Sequence, residues 1–170
     1  MMIESSLPRV KGLSPVFGEA PKILILGTFP GQTSLMTREY YAHPNNLFWP
    51  IINRLFNNGE GFFYYAAKEQ CLIKNHIALW DVYHSKLDTG DSRNESIRYP
   101  EVNDIAGFLA EHPTIERVVF NGNDNCFLDV CVVQQHIPFE MCKWARQTSS
   151  RWSKTIGVCL PSWRSALTDI

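Results

Sequence analysis

The sequence predicts an α/β fold: three layers, α/β/α, with a central parallel sheet. Three observations carry this. Residues 23–26 are apolar without alternation, the pattern of a strand buried on both faces, and further strands are expected at 77–80, 115–120 and 155–160. Segments of helical spacing lie between them, and strand–helix alternation builds right-handed crossovers between parallel strands. The runs also end in glycine or polar residues, at Gly27-Thr28-Phe29-Pro30-Gly31, Asp81, Asn121-Gly122 and Pro161-Ser162. Parallel sheets place their ligand-binding groups at such carboxyl ends.

Each element follows in order. Residues 1–21, rich in Ser, Pro and Gly, read as an irregular lead-in, followed by the first strand. Leu47, Phe48, Ile51, Ile52, Leu55 and Phe56 recur at helical spacing. They predict a helix that starts near Asn45 or Asn46 and stops near Asn57-Asn58-Gly59. A second helix is expected over 64–74, before the strand at 77–80. Residues 84–99 are polar and charged without apolar periodicity, so they read as a long loop, a kind of segment that often carries function. Helical periodicity returns over 100–112 through Val102, Ile105, Ala106 and Leu109, closed by Pro113. The third strand, a helix over 123–134 and the fourth strand complete one domain spanning 1–170.

A chain of 170 residues with 45% hydrophobic and 12% aromatic content can bury the core of one domain. Its formal net charge of −1 gives no general basic signature, so nucleic-acid binding would need a local positive potential. No apolar run approaches the ~20 residues that span a bilayer, and the first residues lack a signal-peptide pattern. A cytoplasmic protein without a membrane partner is expected. The five cysteines show no CxxC pairing or Cys/His ligand spacing, so no metal or cofactor is expected. Cys71, Cys126 and Cys159 sit in apolar surroundings and read as small buried hydrophobes. No G-x-S-x-G elbow is present and no cysteine stands at a strand exit, which argues against a Ser or Cys hydrolase.

The segment Tyr40-Tyr41-Ala42-His43-Pro44-Asn45-Asn46-Leu47-Phe48-Trp49 resembles the first motif, YY-x-HP-x-N-x-FW, of the hypoxanthine-DNA (deoxyinosine) branch of the uracil-DNA glycosylase superfamily. The resemblance continues through residues 77–82, Asn103-Asp104-Ile105 and Val119-Phe120-Asn121-Gly122, covering about residues 22–162. It implies a four-stranded parallel sheet in the order 2-1-3-4. It also implies a metal-independent DNA N-glycosylase of base-excision repair that flips a deaminated base from double-stranded DNA and hydrolyses its N-glycosidic bond. The expected protein is a monomer. Some branches carry a four-cysteine cluster, and this chain lacks that ligand set.

Glycosidic cleavage places positive charge on the sugar and negative charge on the departing base. The site therefore needs donors aimed at the base, a group that holds water, and a wall that stacks on the ring. In many members the water-positioning residue stands where this chain has Phe29, which cannot hold water. The residue pattern alone favours a helix cap for Asn46; the resemblance to the hypoxanthine branch assigns it catalytic support as well, and both roles can coexist. Gly27, Thr28, Phe29 and Pro30 form the expected base-binding loop, with Phe29 either stacking on a purine or packing in the core. Tyr40 and Tyr41 divide between pocket and core, with Tyr41 chosen for the pocket. His43 is a candidate donor or a turn residue.

Asp81 stands where a uracil reader is expected to have asparagine. Its carboxylate would accept from N1–H of hypoxanthine, or else it ties down a strand end. Asn121-Gly122 is a turn at the strand end with positive φ at the glycine, or Asn121 contributes a contact to the base. The second motif agrees only through Leu160-Pro161-Ser162. The residues after it, Trp163 and Arg164, are then an unusual wedge and phosphate contact beside Pro161 and Ser162, or mark an impaired DNA edge. Lys143, Arg146, Arg151 and Lys154, interleaved with Trp144 and Trp152, form either a phosphate-facing stretch or a solvated face. The competing function is a nucleic-acid- or nucleotide-binding homologue that has lost catalysis.

Overall fold

Ile23 and Ile25 belong to one apolar cluster and Leu24 and Leu26 to another, so a single strand divides the core into two layers. The structure is a computed structural model that describes residues 8–88, 97–121, 139–142 and 163–168. The dividing strand is β2 (Ile23–Gly27), following β1 (Arg9–Lys11). It pairs in parallel with β3 (Ile77–Asp81) on one side and β6 (Arg117–Asn121) on the other. Beyond β6 lies β7 (Phe139–Cys142), also parallel, giving the order β3-β2-β6-β7. Residues 139–142 had no strand assigned from sequence, while the expected helix at 123–134 and strand at 155–160 lie outside the described residues.

On the Ile23/Ile25 face pack α2 (Phe48–Phe56), α3 (Tyr65–Lys74) and a short helix over 163–168, through Phe48, Ile52, Leu72, Trp163 and Leu167. Pro50 is tolerated in the first turn of α2 because its missing N–H would have had no helical partner there. The Arg117 guanidinium donates to the carbonyls of Ser165 (3.1 Å) and Ala166 (2.9 Å), fastening the short helix to the start of β6. The opposite face is covered by α4 (Ile105–Glu111) through Ile105, Phe108 and Leu109. The sequence expectation began this helix near Pro100. It begins later because the Asp104 carboxylate accepts from the Gly107 N–H at 2.9 Å and caps it there. A further helix, α1 (Gln32–Thr37), follows the first strand exit and had no counterpart in the sequence reading.

The parallel sheet is not the whole architecture. A second, antiparallel sheet joins β1, β4 (Tyr83–Leu87) and β5 (Glu101–Val102) in the order β1-β4-β5. This corrects two expectations. The lead-in contains β1, and Val16 bridges to Leu79; the supposed loop at 84–99 opens as a strand through Leu87, with 89–96 outside the described residues. The apolar pattern missed β4 because its buried positions include Ser85 and Lys86. Ser85 Oγ accepts from Arg9 Nε (3.0 Å) and Nη2 (2.9 Å) and donates to Glu101, so polar pairing replaces apolar burial across that sheet. Among the described residues no helix is long and apolar enough to cross a membrane.

Candidate active site

The carboxyl ends of β2, β3 and β6 lie side by side, with Gly27 paired opposite Asp81. Asp81 is 3% exposed and Asn121 6%. The Asp81 Oδ2 and both side-chain atoms of Asn121 are buried without a hydrogen-bond partner among the described residues. Buried polar atoms are nearly always paired, and leaving one unpaired costs ~1–3 kcal/mol. Three such atoms on the strand exits that flank β2 therefore mark a place built for something other than packing.

Tyr41 completes the cluster. Its hydroxyl lies near Asn121 and within the field of Asp81. Burial first, and the Asp81 charge second, hold its proton more tightly than in water, with the Asn121 interaction opposing them. A Cβ on Gly27 would stand 2.8 Å from Tyr41 Oη and collide with Asp81 Oδ1, so only glycine lets the carboxyl and phenol converge over β2. Tyr41 itself has φ of 53°, a strained conformation for a bulky residue and one that recurs at functional sites. Its ring lies 4.2 Å from that of Phe48, tilted by 30°, which aims the hydroxyl at the strand exits.

Tyr40 does the opposite work. Its hydroxyl donates to the Ser14 carbonyl (3.1 Å), its N–H donates to the Tyr65 hydroxyl (3.1 Å), and its carbonyl accepts from Trp49 Nε1 (2.6 Å). The pair thus splits into a core strut and a site residue.

Burial raises the Asp81 carboxyl from its ordinary range to about 7. Desolvation alone does this, since no cation among the described residues acts on it. Asn103 Nδ2 donates to the Asp81 carbonyl at 2.8 Å and the Asn103 N–H to the Val82 carbonyl at 2.8 Å, fixing the backbone that carries the carboxyl. The sequence reading included Asn103 in a matching segment but gave it no role. It also passed over Lys86, 3% exposed, whose Nζ lies 5.7 Å from the centroid of the Phe29 ring.

The other expected residues are dispersed around this centre. Gly27, Thr28, Phe29 and Pro30 are all buried; the Gly27 and Thr28 carbonyls accept from the Val82 and Tyr83 N–H groups at 2.8 and 3.0 Å. Phe29 is 8% exposed, packed beneath Lys86. Asn46 Oδ1 accepts from the Phe48 N–H at 2.9 Å, so the side chain caps α2, while its Nδ2 has no partner among the described residues. His43 is exposed and closes the turn: Nδ1 accepts from the Asn45 N–H (3.1 Å) and its carbonyl from the Asn46 N–H (2.8 Å).

Trp163 is a correction. It is 2% exposed and meets Phe48 edge-on at 5.9 Å, so it is core and not a wedge; as the first residue of an amphipathic helix it faces inward. Arg164 beside it is exposed. Pro161, Ser162 and the basic stretch at 143–154 lie outside the described residues. Among the described residues no cluster of three His, Cys, Asp or Glu could hold a metal ion. A cavity lined by Leu13, Arg38, Tyr40, Tyr65 and Glu69 measures about 180 Å³, below the ~300–1,000 Å³ of ligand pockets, so it does not compete with the strand exits.

The family model of the uracil DNA glycosylase superfamily matches residues 15–124, a span containing Gly27, Tyr41, Asp81 and Asn121. The chain is 32% identical over 112 residues to proteins named hypoxanthine DNA glycosylase from Methanosarcina barkeri and from Methanosarcina acetivorans, covering 66% of this chain and 70% of each relative. It also matches the solution NMR structure of a candidate uracil DNA glycosylase from Methanosarcina acetivorans, with TM-score 0.69 and 26% identity, over 92% of this chain and 99% of that one.

Proposed function

The chain belongs to the uracil DNA glycosylase superfamily, and on that premise we propose that it is a DNA-deoxyinosine glycosylase: it flips a hypoxanthine nucleotide from duplex DNA and hydrolyses the bond between C1′ and N9. The carrying observation is the set of unpartnered buried atoms on Asp81 and Asn121. An amide offers one acceptor and one donor group, which complement N1–H and O6 of hypoxanthine. Bound base would satisfy atoms left unpaired among the described residues.

The remaining roles follow from position. Asn46 caps α2 with its oxygen and offers its nitrogen to the water or the base. Tyr41 and the loop of Gly27, Thr28, Phe29 and Pro30 wall the pocket, Phe29 through its edge because its ring is already packed. His43 and Arg164, both exposed, approach the phosphates, joined by Pro161 and Ser162. Binding uses no metal, and the acting species is a monomer. The buried state of Phe29 and the inward Trp163 favour one second reading, a homologue that binds nucleic acid without cleaving it.

The deciding experiment incubates the purified protein with a duplex oligonucleotide containing one deoxyinosine, with EDTA present, and reveals abasic sites with alkali. Strand scission at the inosine position is expected, with far less at uracil in a matched duplex. Binding without scission at any enzyme level would support the second reading.

A further inference from the structure

Asp81 is the one carboxylate among the buried residues described. Among the described residues it has no ion pair and its Oδ2 has no hydrogen-bond donor, and its backbone is pinned by Asn103. A carboxylate so placed is costly to keep ionised. Among the described residues the groups within its field are neutral: the Tyr41 and Tyr40 phenols from the segment before α2, both holding their protons more tightly than in water, with the Asn121 amide from β6 beyond Tyr41 and Gly27, without a side chain, beside it on β2.

We propose that Asp81 is the general acid of the reaction, delivering its proton to a ring nitrogen of the departing purine. This rests on the glycosylase reading above. It also revises the expectation that Asp81 acts as an anionic acceptor.

The step balances. As the C1′–N9 bond breaks, its electron pair moves into the purine ring, and the Asp81 proton goes to N7 or N3, so that neutral hypoxanthine leaves. Water adds to C1′ and gives the abasic sugar, and the proton that water releases restores the Asp81 carboxyl. Protonating the leaving base answers the demand that Phe29 leaves open. With no carboxylate in the first loop to activate water, the barrier is lowered at the departing base instead.

The test is single-turnover hypoxanthine release from a deoxyinosine duplex as a function of pH. For the wild-type protein the rate constant should be level below about pH 7 and fall about tenfold per unit above it, following the carboxyl that titrates at about 7. Asp81→Asn should lose roughly 10²-fold or more and show no inflection there, while melting at the same or a higher temperature. A wild-type rate constant independent of pH through this range, or Asp81→Asn with the wild-type rate, overturns the proposal while leaving the glycosylase reading intact. No release by the wild-type protein at any pH overturns both.

A second arm does not depend on the variant folding. Duplexes containing 7-deaza- or 3-deaza-2′-deoxyinosine each lack one proton-accepting nitrogen, and at least one should resist cleavage. Cleavage of both at the deoxyinosine rate overturns the proposal.

Discussion

Two polar clusters, one on each sheet, are built in opposite ways. On the antiparallel sheet, Arg9, Ser85 and Glu101 satisfy one another: two guanidinium donors reach Ser85 Oγ, Ser85 donates to Glu101, and Arg9 Nε lies 3.4 Å from Glu101 Oε1. On the parallel sheet, Asp81 and Asn121 are also buried, yet three of their atoms have no partner among the described residues. Paired polar groups hold strands together, whereas unpaired buried ones cost stability and persist where a ligand completes them. Removing a group from the first cluster should therefore cost folding, and removing one from the second should cost activity.

The largest expected effect is the pH dependence that Asp81 gives to stability. Its folded-state value is raised from 3.8 to about 7, so the folded protein binds the proton more tightly than the unfolded chain. Stability is then greatest at acid pH, falls as pH rises from about 4 to about 7, and is level above. The loss amounts to at most about 4 kcal/mol from a shift of this size. Urea unfolding at several pH values should show this fall in the wild-type protein and its absence in Asp81→Asn. Parallel curves for the two proteins would mean that the carboxyl is paired and the two clusters are alike.

Next comes Asn121→Ala. If the amide waits for a base, excision of hypoxanthine should fall roughly 10²–10³-fold, the cost of losing a donor aimed at developing charge. The melting temperature should move little, because among the described residues only the Tyr41 hydroxyl interacts with the amide. A large drop in melting temperature with activity retained would place Asn121 with the structural cluster.

The contrast also explains what could be read from the chain. β2, β3 and β6 were legible because unbroken apolar runs such as Ile23 to Leu26 have one physical meaning, burial on both faces. Their polar exits pointed to Asp81 and Asn121 for the same reason. β4 was not legible, because Ser85 and Lys86 are buried by partners far away in sequence: Arg9 is 76 positions from Ser85. Nothing local announces such pairing. Trp163 was misplaced by similar logic, since an aromatic beside an arginine looks the same in sequence whether it faces DNA or Phe48. The division between Tyr40 and Tyr41 depended on a backbone angle, φ of 53° at Tyr41, that periodicity cannot supply.

Ser85→Ala sharpens the comparison from the structural side. It removes the hydroxyl that accepts from Arg9 and donates to Glu101, and should cost about 1–2 kcal/mol in urea unfolding. Its pH–rate profile for hypoxanthine release should match the wild type within a few-fold. A 10²-fold loss of activity at unchanged stability would mean that the antiparallel sheet participates in the chemistry.

The smallest effect has the opposite sign to that of Asp81 and is the finest test of the distinction. The Ser85 hydroxyl first, and the Arg9 guanidinium after it, hold the Glu101 carboxyl below its ordinary value against an opposing desolvation. The unfolded chain therefore takes up this proton more readily than the folded one. The resulting stability is fully present above the ordinary glutamate range and is lost as pH falls through the lowered folded-state value. Glu101 is exposed to solvent, so the Arg9 contribution is screened and should shrink in high salt. Glu101→Gln should accordingly flatten only the acid limb of the stability profile and leave the decline between about pH 4 and 7 intact. A variant that flattened the decline instead would show that the paired cluster, and not the unpaired one, sets the stability of this protein near neutrality.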